Sequence, residues 1–175
     1  SGYEDRAGFT TDSLANKAYV DQVAQGLDTK PSCRVATTAN LSATYSNGTA
    51  GVGATLTNSG TQAALTIDGI TMVAADRVLV KDQSTAAQNG IYVVTNIGSG
   101  SSNWILTRAT PEDQPAELTG GSFVFVEQGT ANGDNGYVFT HNGSPTFGTT
   151  ALDVTQFSGA GQITAGAALT KTGNQ

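Results

Sequence analysis

From Pro31 onward, short stretches of β-branched and apolar residues alternate with clusters of Gly, Asn, Asp, Ser and Pro. This pattern predicts strands joined by tight turns, because β-branched side chains fit a pleated sheet and small polar residues fit turns. Residues 40–60 contain few large apolar side chains and predict a long loop or a weak, exposed hairpin. The predicted strands are residues 34–39, 64–67, 70–73, 77–81, 90–95, 104–108, 121–127, 137–140 and 153–157. No helical pattern lies between them, so the predicted fold is mainly β, as a β-sandwich or a squat barrel.

One short helix is predicted before the strands. Asp12 or Ser13 is suited to its N-cap, and Gly26 is suited to the left-handed residue that ends it. Its apolar residues share about 100° of arc on one face; they are Tyr19, Val20, Val23 and Leu27. A helix of this length is marginal alone, so this face needs a partner, either its own β-domain or copies of itself around a symmetry axis. We expect these four residues to be contacts in a homo-oligomer, with a trimer favoured.

The chain of 175 residues divides into three predicted parts. Residues 1–30 form a linker with the short helix, residues 31–158 form the β-domain, and residues 159–175 form a Gly/Thr-rich extension toward a following module. The extension has too few large side chains for a core of its own, so it is also expected to contact neighbouring copies. Both termini are expected to be cuts from a longer polypeptide.

An ungapped internal similarity links two segments of the β-domain. Residues 77–94 (RVLVKDQSTAAQNGIYVV) align with residues 123–140 (FVFVEQGTANGDNGYVFT), and both contain Asn-Gly before the returning strand. The alignment predicts an internal duplication of one hairpin design, although two independent hairpins of similar length would share the same residues. In both, the Asn-Gly pair is expected to supply a positive φ where the loop re-enters the sheet.

Composition and charge narrow the class of protein. Charged residues make up 13% of the chain and the net charge is −6, which argues against a nucleic-acid partner because phosphate binding needs a concentrated positive field. No apolar run approaches the roughly 20 residues that span a bilayer, so no membrane insertion is expected. The single cysteine, Cys33, excludes an intrachain disulfide and is expected to be a small apolar residue near a strand.

Candidate chemistry is sparse. His141 is the only histidine, stands where an exposed or edge-strand polar residue is the default, and no serine has a nucleophile-elbow context. Residues 132–135 lack the distal Glu of a calcium loop, and the two prolines of residues 111–115 predict an exposed acidic loop. Several carboxylates could form a glycosidase pair, but solvated loop acids are the preferred interpretation; they are Asp76, Asp82, Glu112, Asp113, Glu117, Glu127 and Asp134. We therefore expect no enzyme activity, no cofactor and no metal.

Trp104 has two interpretations. It starts a predicted strand, where it either packs in a core or interface or stacks on a sugar ring as a glycan contact. Core or interface packing is the preferred one.

Several segments, in this order, resemble a repeated module of bacteriophage tail-fibre proteins. They are residues 30–40 (KPSCRVATTAN), 67–70 (IDGI), 76–83 (DRVLVKDQ), 89–94 (NGIYVV), Trp104 with 107–109 (TRA), 117–127 (ELTGGSFVFVE) and 156–161 (QFSGAG). Residues 16–21 (NKAYVD) resemble the helical link before such a module, and the resemblance covers most of residues 16–172. Residues 40–62 are longer and richer in Gly and Asn than the family pattern.

The resemblance implies a structural protein of the virion, in its tail or tail fibre, that contributes to host attachment. Its implied partners are further copies of itself, usually as a trimer, other tail or fibre proteins, and in some cases a host surface glycan. Two other functions stay open: a carbohydrate-binding, lectin-like module and a fragment of a polysaccharide depolymerase. A sugar array would test the first of these, and release of reducing ends from host capsule would test the second.

Overall fold

A computed structural model describes residues 28–159, and this part of the chain is mainly β. Its eleven strands form three sheets, none of which closes into a barrel. A single 3-10 turn covers Ala86–Gln88. The strands are β1 (Val35–Ala36), β2 (Ala43–Ser46), β3 (Thr55–Asn58), β4 (Thr66–Ile67), β5 (Ile70–Thr71), β6 (Arg77–Val80), β7 (Gly90–Asn96), β8 (Ile105–Arg108), β9 (Phe123–Val126), β10 (Asn135–Phe139) and β11 (Val154–Gly159).

The predicted mainly-β fold is confirmed. Every predicted strand has a counterpart, and residues 40–60 form the hairpin of β2 and β3 rather than a long loop. The predicted helix with Tyr19, Val20, Val23 and Leu27 lies outside the described residues, as do residues 160–175 of the extension.

The largest sheet has six strands in the order β1-β6-β7-β8-β3-β2. All neighbours are antiparallel except β1 and β6, which are parallel. The second sheet has the order β11-β10-β9, and the third is the small hairpin of β4 and β5. Asp68 and Gly69 form the tight turn of that hairpin with φ of 48° and 80°, the left-handed values that a two-residue hairpin turn requires.

Residues 29–36 connect the two larger sheets. Thr29 and Cys33 pair in parallel with Phe123 and Val126 on the open side of β9. The chain then continues into β1, which pairs in parallel with β6. One extended segment therefore borders β9 first and β6 afterwards.

Two apolar clusters cover the two faces of the six-stranded sheet. Because side chains alternate along β6, Leu79 points into one cluster while Val78 and Val80 point into the other. The first cluster fills the space toward the three-stranded sheet with Leu79, Ile91, Val124, Val126, Tyr137 and Phe139 among its members. The second lies under the β4–β5 hairpin and includes Leu65, Ile67, Met72, Trp104 and Leu106. The sequence thus folds into three layers with the six-stranded sheet in the middle.

The two segments of the internal alignment occupy comparable positions. β6 and β7 form one antiparallel hairpin and β9 and β10 form the other; each first strand has a parallel neighbour in residues 29–36. Their registers differ by one residue, since Gly90 pairs with Val80 whereas Gly136 pairs with Phe125. The two hairpins share this arrangement, and internal duplication stays a prediction. The loop that connects the two strands is one residue shorter in the second hairpin than in the first.

The expected positive φ at the two Asn-Gly pairs is confirmed at one site and wrong at the other. Gly90 has a φ of 142°. In the second hairpin the left-handed residue is Asp134, with a φ of 59°, and Gly136 is not among the positive-φ residues. The one-residue difference in register accounts for this, because Gly136 already lies inside β10.

Candidate functional site

The candidate catalytic residues are engaged in structural contacts. His141 is buried rather than exposed, because its ring packs edge-on against Phe139 with centroids 6.2 Å apart. Its Nε2 lies 3.1 Å from the carbonyl oxygen of Leu118. Since a carbonyl only accepts, Nε2 carries the proton and holds the ring to the loop before β9.

The expected exposed acidic loop is also corrected. Within residues 111–115, Glu112 is fully buried and bonded to Arg77, and Asp113 is buried and accepts a bond from Thr110. The two acids turn inward, where they find partners, while Pro111, Gln114 and Pro115 stay exposed.

The other candidate carboxylates that are paired lie nearer the surface. Each contacts a different polar group of the same domain: Asp76 with Arg34, Asp82 with Lys81 and Thr37, Glu117 with Gln114, and Glu127 with Ser32. Among residues 28–159, no group of three or more His, Cys, Asp or Glu side chains is placed to hold a metal ion. The bonds of Asp76, Asp82 and Glu127 join different segments of the chain, whereas that of Glu117 stays within its own loop.

Asn132, in the segment considered for calcium, serves as a structural link. Its Nδ2 donates to the carbonyl oxygens of Ala36 and Thr37, and its Oδ1 accepts the hydroxyl of Tyr137 at 2.7 Å. The Asp68 carboxylate accepts the backbone N–H groups of Ala131 and Asn132. These bonds fix the loop before β10 to the β4–β5 turn.

Trp104 belongs to the second apolar cluster, and only 7% of its surface is exposed. A sugar ring needs an open aromatic face to stack on. In this position Trp104 packs against the core and offers no such face.

Two arginines that the sequence analysis did not single out anchor the interior. Arg77 pairs with the buried Glu112 at 2.9 Å. The guanidinium of Arg108 lies between Phe147 and Tyr92, 4.4 Å and 4.9 Å from their ring centroids, and it donates to the Tyr92 hydroxyl and the Asn89 carbonyl. In the sequence, each of these arginines stands at one end of a predicted strand, beside apolar residues that become buried.

Cys33 lies in the first cluster and is fully buried. Burial raises the pKa of its thiol from 9.0 to about 12; Arg77 opposes this shift, and Glu112 and Glu127 add to it. A thiol with this pKa stays protonated at neutral pH and is a poor nucleophile.

The raised pKa of Cys33 predicts a loss of stability at alkaline pH. Below about pH 9 the thiol is protonated in both states, whereas between pH 9 and about 12 the unfolded chain releases the proton first. The free energy of unfolding should fall by about 1.4 kcal/mol per pH unit in that window. Urea unfolding at pH 8 and pH 10 should show a decrease about 1.4 kcal/mol larger in the wild type than in Cys33→Ala. Equal decreases would exclude Cys33 as the titrating group.

The described chain enters and leaves through the three-stranded sheet. At its start, the carbonyl oxygen of Asp28 accepts the N–H of Phe123, the first residue of β9. At its end, Gly159 of β11 pairs with Asn135, which pairs with Val126 at the last residue of β9. Residues 29–33 are parallel to β9, and β11 runs in the same direction because both β9 and β11 are antiparallel to β10. The chain therefore passes through the domain in one direction, from one end of this sheet to the other.

The outer side of this sheet carries an exposed apolar surface, which we call the aromatic face and define as Phe123, Phe125, Val138 and Phe157. Phe125 is 40% exposed and Phe157 is 69% exposed. Phe123 and Phe157 meet edge-on with ring centroids 6.0 Å apart, across the sheet from β9 to β11. The other side of the same strands, with Val124, Val126 and Tyr137, is in the core.

Comparisons with protein-family models, with curated proteins and with solved structures found no match. Among residues 28–159, no helix is long and apolar enough to cross a membrane.

Proposed function

We propose that this chain is a structural component of a bacteriophage tail fibre or tail appendage. In this role it contributes to virion assembly and host attachment, has no catalytic activity, and assembles as a homo-oligomer, with a trimer favoured, alongside other tail proteins. The resemblance of residues 16–172 to tail-fibre modules suggests this class, and the path of the chain through the domain supports it.

The path of the chain is the observation that carries the proposal. A module inside a long fibre must receive the chain at one end and pass it on at the other. Here the incoming segment, residues 29–33, and the outgoing strand β11 border the same hairpin and run in the same direction. At about 3.3 Å per residue, the start and end of this path are on the order of 10 Å apart along the strands. A domain with this path extends a fibre without reversing the chain.

The use of the polar side chains supports a structural role. The histidine and most of the candidate carboxylates are bonded to other groups of the same domain. A catalytic acid or base must be free to exchange a proton with a substrate. Side chains that already hold the fold together fit a structural module better than a hydrolase.

The proposal predicts that the protein is present in phage particles. Gold-labelled antibody raised against the purified chain should bind the tail or its fibres on particles of the phage that encodes it, as seen by negative-stain electron microscopy. Antibody that was first absorbed with the purified chain is the control. Label confined to the capsid, or particles whose peptides lack this chain in mass spectrometry, would contradict the proposal.

A further inference from the structure

We propose that the fold selects Asn142-Gly143 as a site of spontaneous covalent modification, at which the asparagine loses ammonia and becomes aspartate or isoaspartate. The chain contains five Asn-Gly pairs, at residues 47–48, 89–90, 132–133, 135–136 and 142–143. In such a pair the glycine has no side chain to obstruct attack of its backbone nitrogen on the preceding amide. The structure protects four of the pairs and leaves Asn142-Gly143 open.

The reaction needs only water and the two residues themselves. The backbone nitrogen of Gly143 gives its proton to the solvent and bonds to Cγ of Asn142; the Cγ–Nδ2 bond breaks, and Nδ2 takes up a proton and leaves as ammonia. Water then opens the resulting succinimide ring at one of its two carbonyl carbons. Opening at Cγ leaves a normal backbone with an aspartate side chain, whereas opening at the main-chain carbonyl carbon gives isoaspartate.

Ring closure requires that the asparagine side chain can rotate and that the next backbone nitrogen is free to attack. Asn142 and Gly143 are both exposed, in the loop that follows β10. Within residues 28–159, no hydrogen bond engages the Asn142 side chain or the Gly143 N–H. A Cβ built on Gly143 would have no atom within 4 Å, so the space around the attacking nitrogen is open.

Three of the protected pairs are held inside the domain. Asn89, Asn132 and Asn135 are buried, and the amide of each is hydrogen-bonded at both ends. Oδ1 of Asn89 accepts the N–H of Gln83 at 3.0 Å, and its Nδ2 donates to the Leu152 carbonyl at 3.1 Å. These side chains reach the next backbone nitrogen only after local opening of the structure, which lowers the rate by the fraction of time spent open.

The fourth pair, Asn47-Gly48, is the closest comparison because its glycine is also exposed and its asparagine is only half-buried. Oδ1 of Asn47 accepts the Tyr45 hydroxyl at 2.7 Å, and its Nδ2 donates to the Phe147 carbonyl at 3.1 Å. A side chain held at both ends does not swing toward Gly48 without giving up both bonds. The difference between this pair and Asn142-Gly143 is therefore side-chain hydrogen bonding.

The product changes a contact between two loops. The carbonyl oxygen of Gly143 accepts the N–H of Gly120 at 3.3 Å, which joins the loop after β10 to the loop before β9. Isoaspartate adds a carbon to the main chain immediately before Gly143 and moves this carbonyl away from its donor. Either product also adds a negative charge to a chain whose net charge is −6.

The test follows the five pairs in the full chain during incubation at pH 8 and 37 °C. Peptide mapping by mass spectrometry should show conversion of Asn142 at least about 10-fold faster than at each of the other four asparagines, because local opening limits those four. In a denaturing concentration of urea, the five pairs should react at comparable rates. An Asn142 that keeps its amide in the folded chain, or that leads by the same factor in urea, would overturn the inference.

A second measurement uses the added charge and a matched control. Anion-exchange chromatography of the incubated wild type should show a later-eluting acidic form, and Asn142→Ser should lack it. The control Asn47→Ser removes the other exposed Asn-Gly pair and should accumulate the acidic form as fast as the wild type. An acidic form that accumulates equally in Asn142→Ser would also overturn the inference, since the charge would then arise elsewhere in the chain.

Discussion

Replacing Glu112 with glutamine is expected to lower the free energy of unfolding by about 3–5 kcal/mol. The Glu112 carboxylate is fully buried, and one of its oxygens bonds to Nη2 of Arg77 at 2.9 Å. Removing the charge of the buried Glu112 leaves the Arg77 guanidinium, whose side chain is 19% exposed, without its partner in a region of low dielectric constant, which costs several kcal/mol. Urea unfolding at pH 7 measures the effect.

The double variant Arg77→Met/Glu112→Leu distinguishes loss of the ion pair from loss of packing. Because well-packed apolar residues often replace a buried ion pair at little cost, we expect this variant to recover most of the stability lost in Glu112→Gln. The exposed Asp153→Asn is the control and should change the free energy of unfolding by less than about 0.5 kcal/mol. If Glu112→Gln lowered the free energy of unfolding no more than Asp153→Asn does, the ion pair would have no role in stability.

Much of the strand content follows from local sequence. Residues such as Val78, Leu79 and Val80, bounded by polar turns, fit a strand wherever the chain folds, and Asp68-Gly69 fixes a hairpin turn by its backbone preference. Residues 40–60 were harder to assign, because only Leu56 marks β3 as buried. Their hairpin depends on pairing with β8, which lies about 50 residues further along the chain.

The burial of polar residues could not be predicted from local sequence. Glu112 and His141 lie in loops with the composition of exposed segments, and each is buried with one of its polar atoms bonded to a distant group, Arg77 or the Leu118 carbonyl. Register is also a property of the folded sheet. A loop that is one residue shorter shifts the partner of Gly136 and moves the positive φ to Asp134.

The sequence analysis did not identify the aromatic face as an exposed surface. The sequence Phe-Val-Phe-Val of β9 is equally consistent with a strand that is buried on both sides. Only the layer order reveals that Val124 and Val126 face the core while Phe125 faces outward. The predicted contacts of the helix lie in residues that the structure does not describe.

Gly90→Ala is expected to destabilise the protein by about 3–5 kcal/mol. Gly90 pairs with Val80 inside the six-stranded sheet and has a φ of 142°, which an alanine adopts only with strain. A Cβ at this position would lie 2.2 Å from Nη1 of Arg108. That guanidinium cannot move aside easily, because it packs against the rings of Tyr92 and Phe147 and donates to the Tyr92 hydroxyl and the Asn89 carbonyl. Strain and overpacking therefore add, each at about 1–3 kcal/mol.

Two further variants separate these contributions by urea unfolding. Gly121→Ala also places alanine at a positive φ, 95°, but its Cβ would have no atom within 4 Å, so it should show the cost of backbone strain alone. In the background of Arg108→Met, which lacks Nη1, Gly90→Ala should cost about 1–3 kcal/mol less than in the wild type. An equal cost in both backgrounds would mean that Arg108 yields to the new side chain. The aromatic pair would then not hold the guanidinium in place, and backbone conformation alone would require glycine at this position.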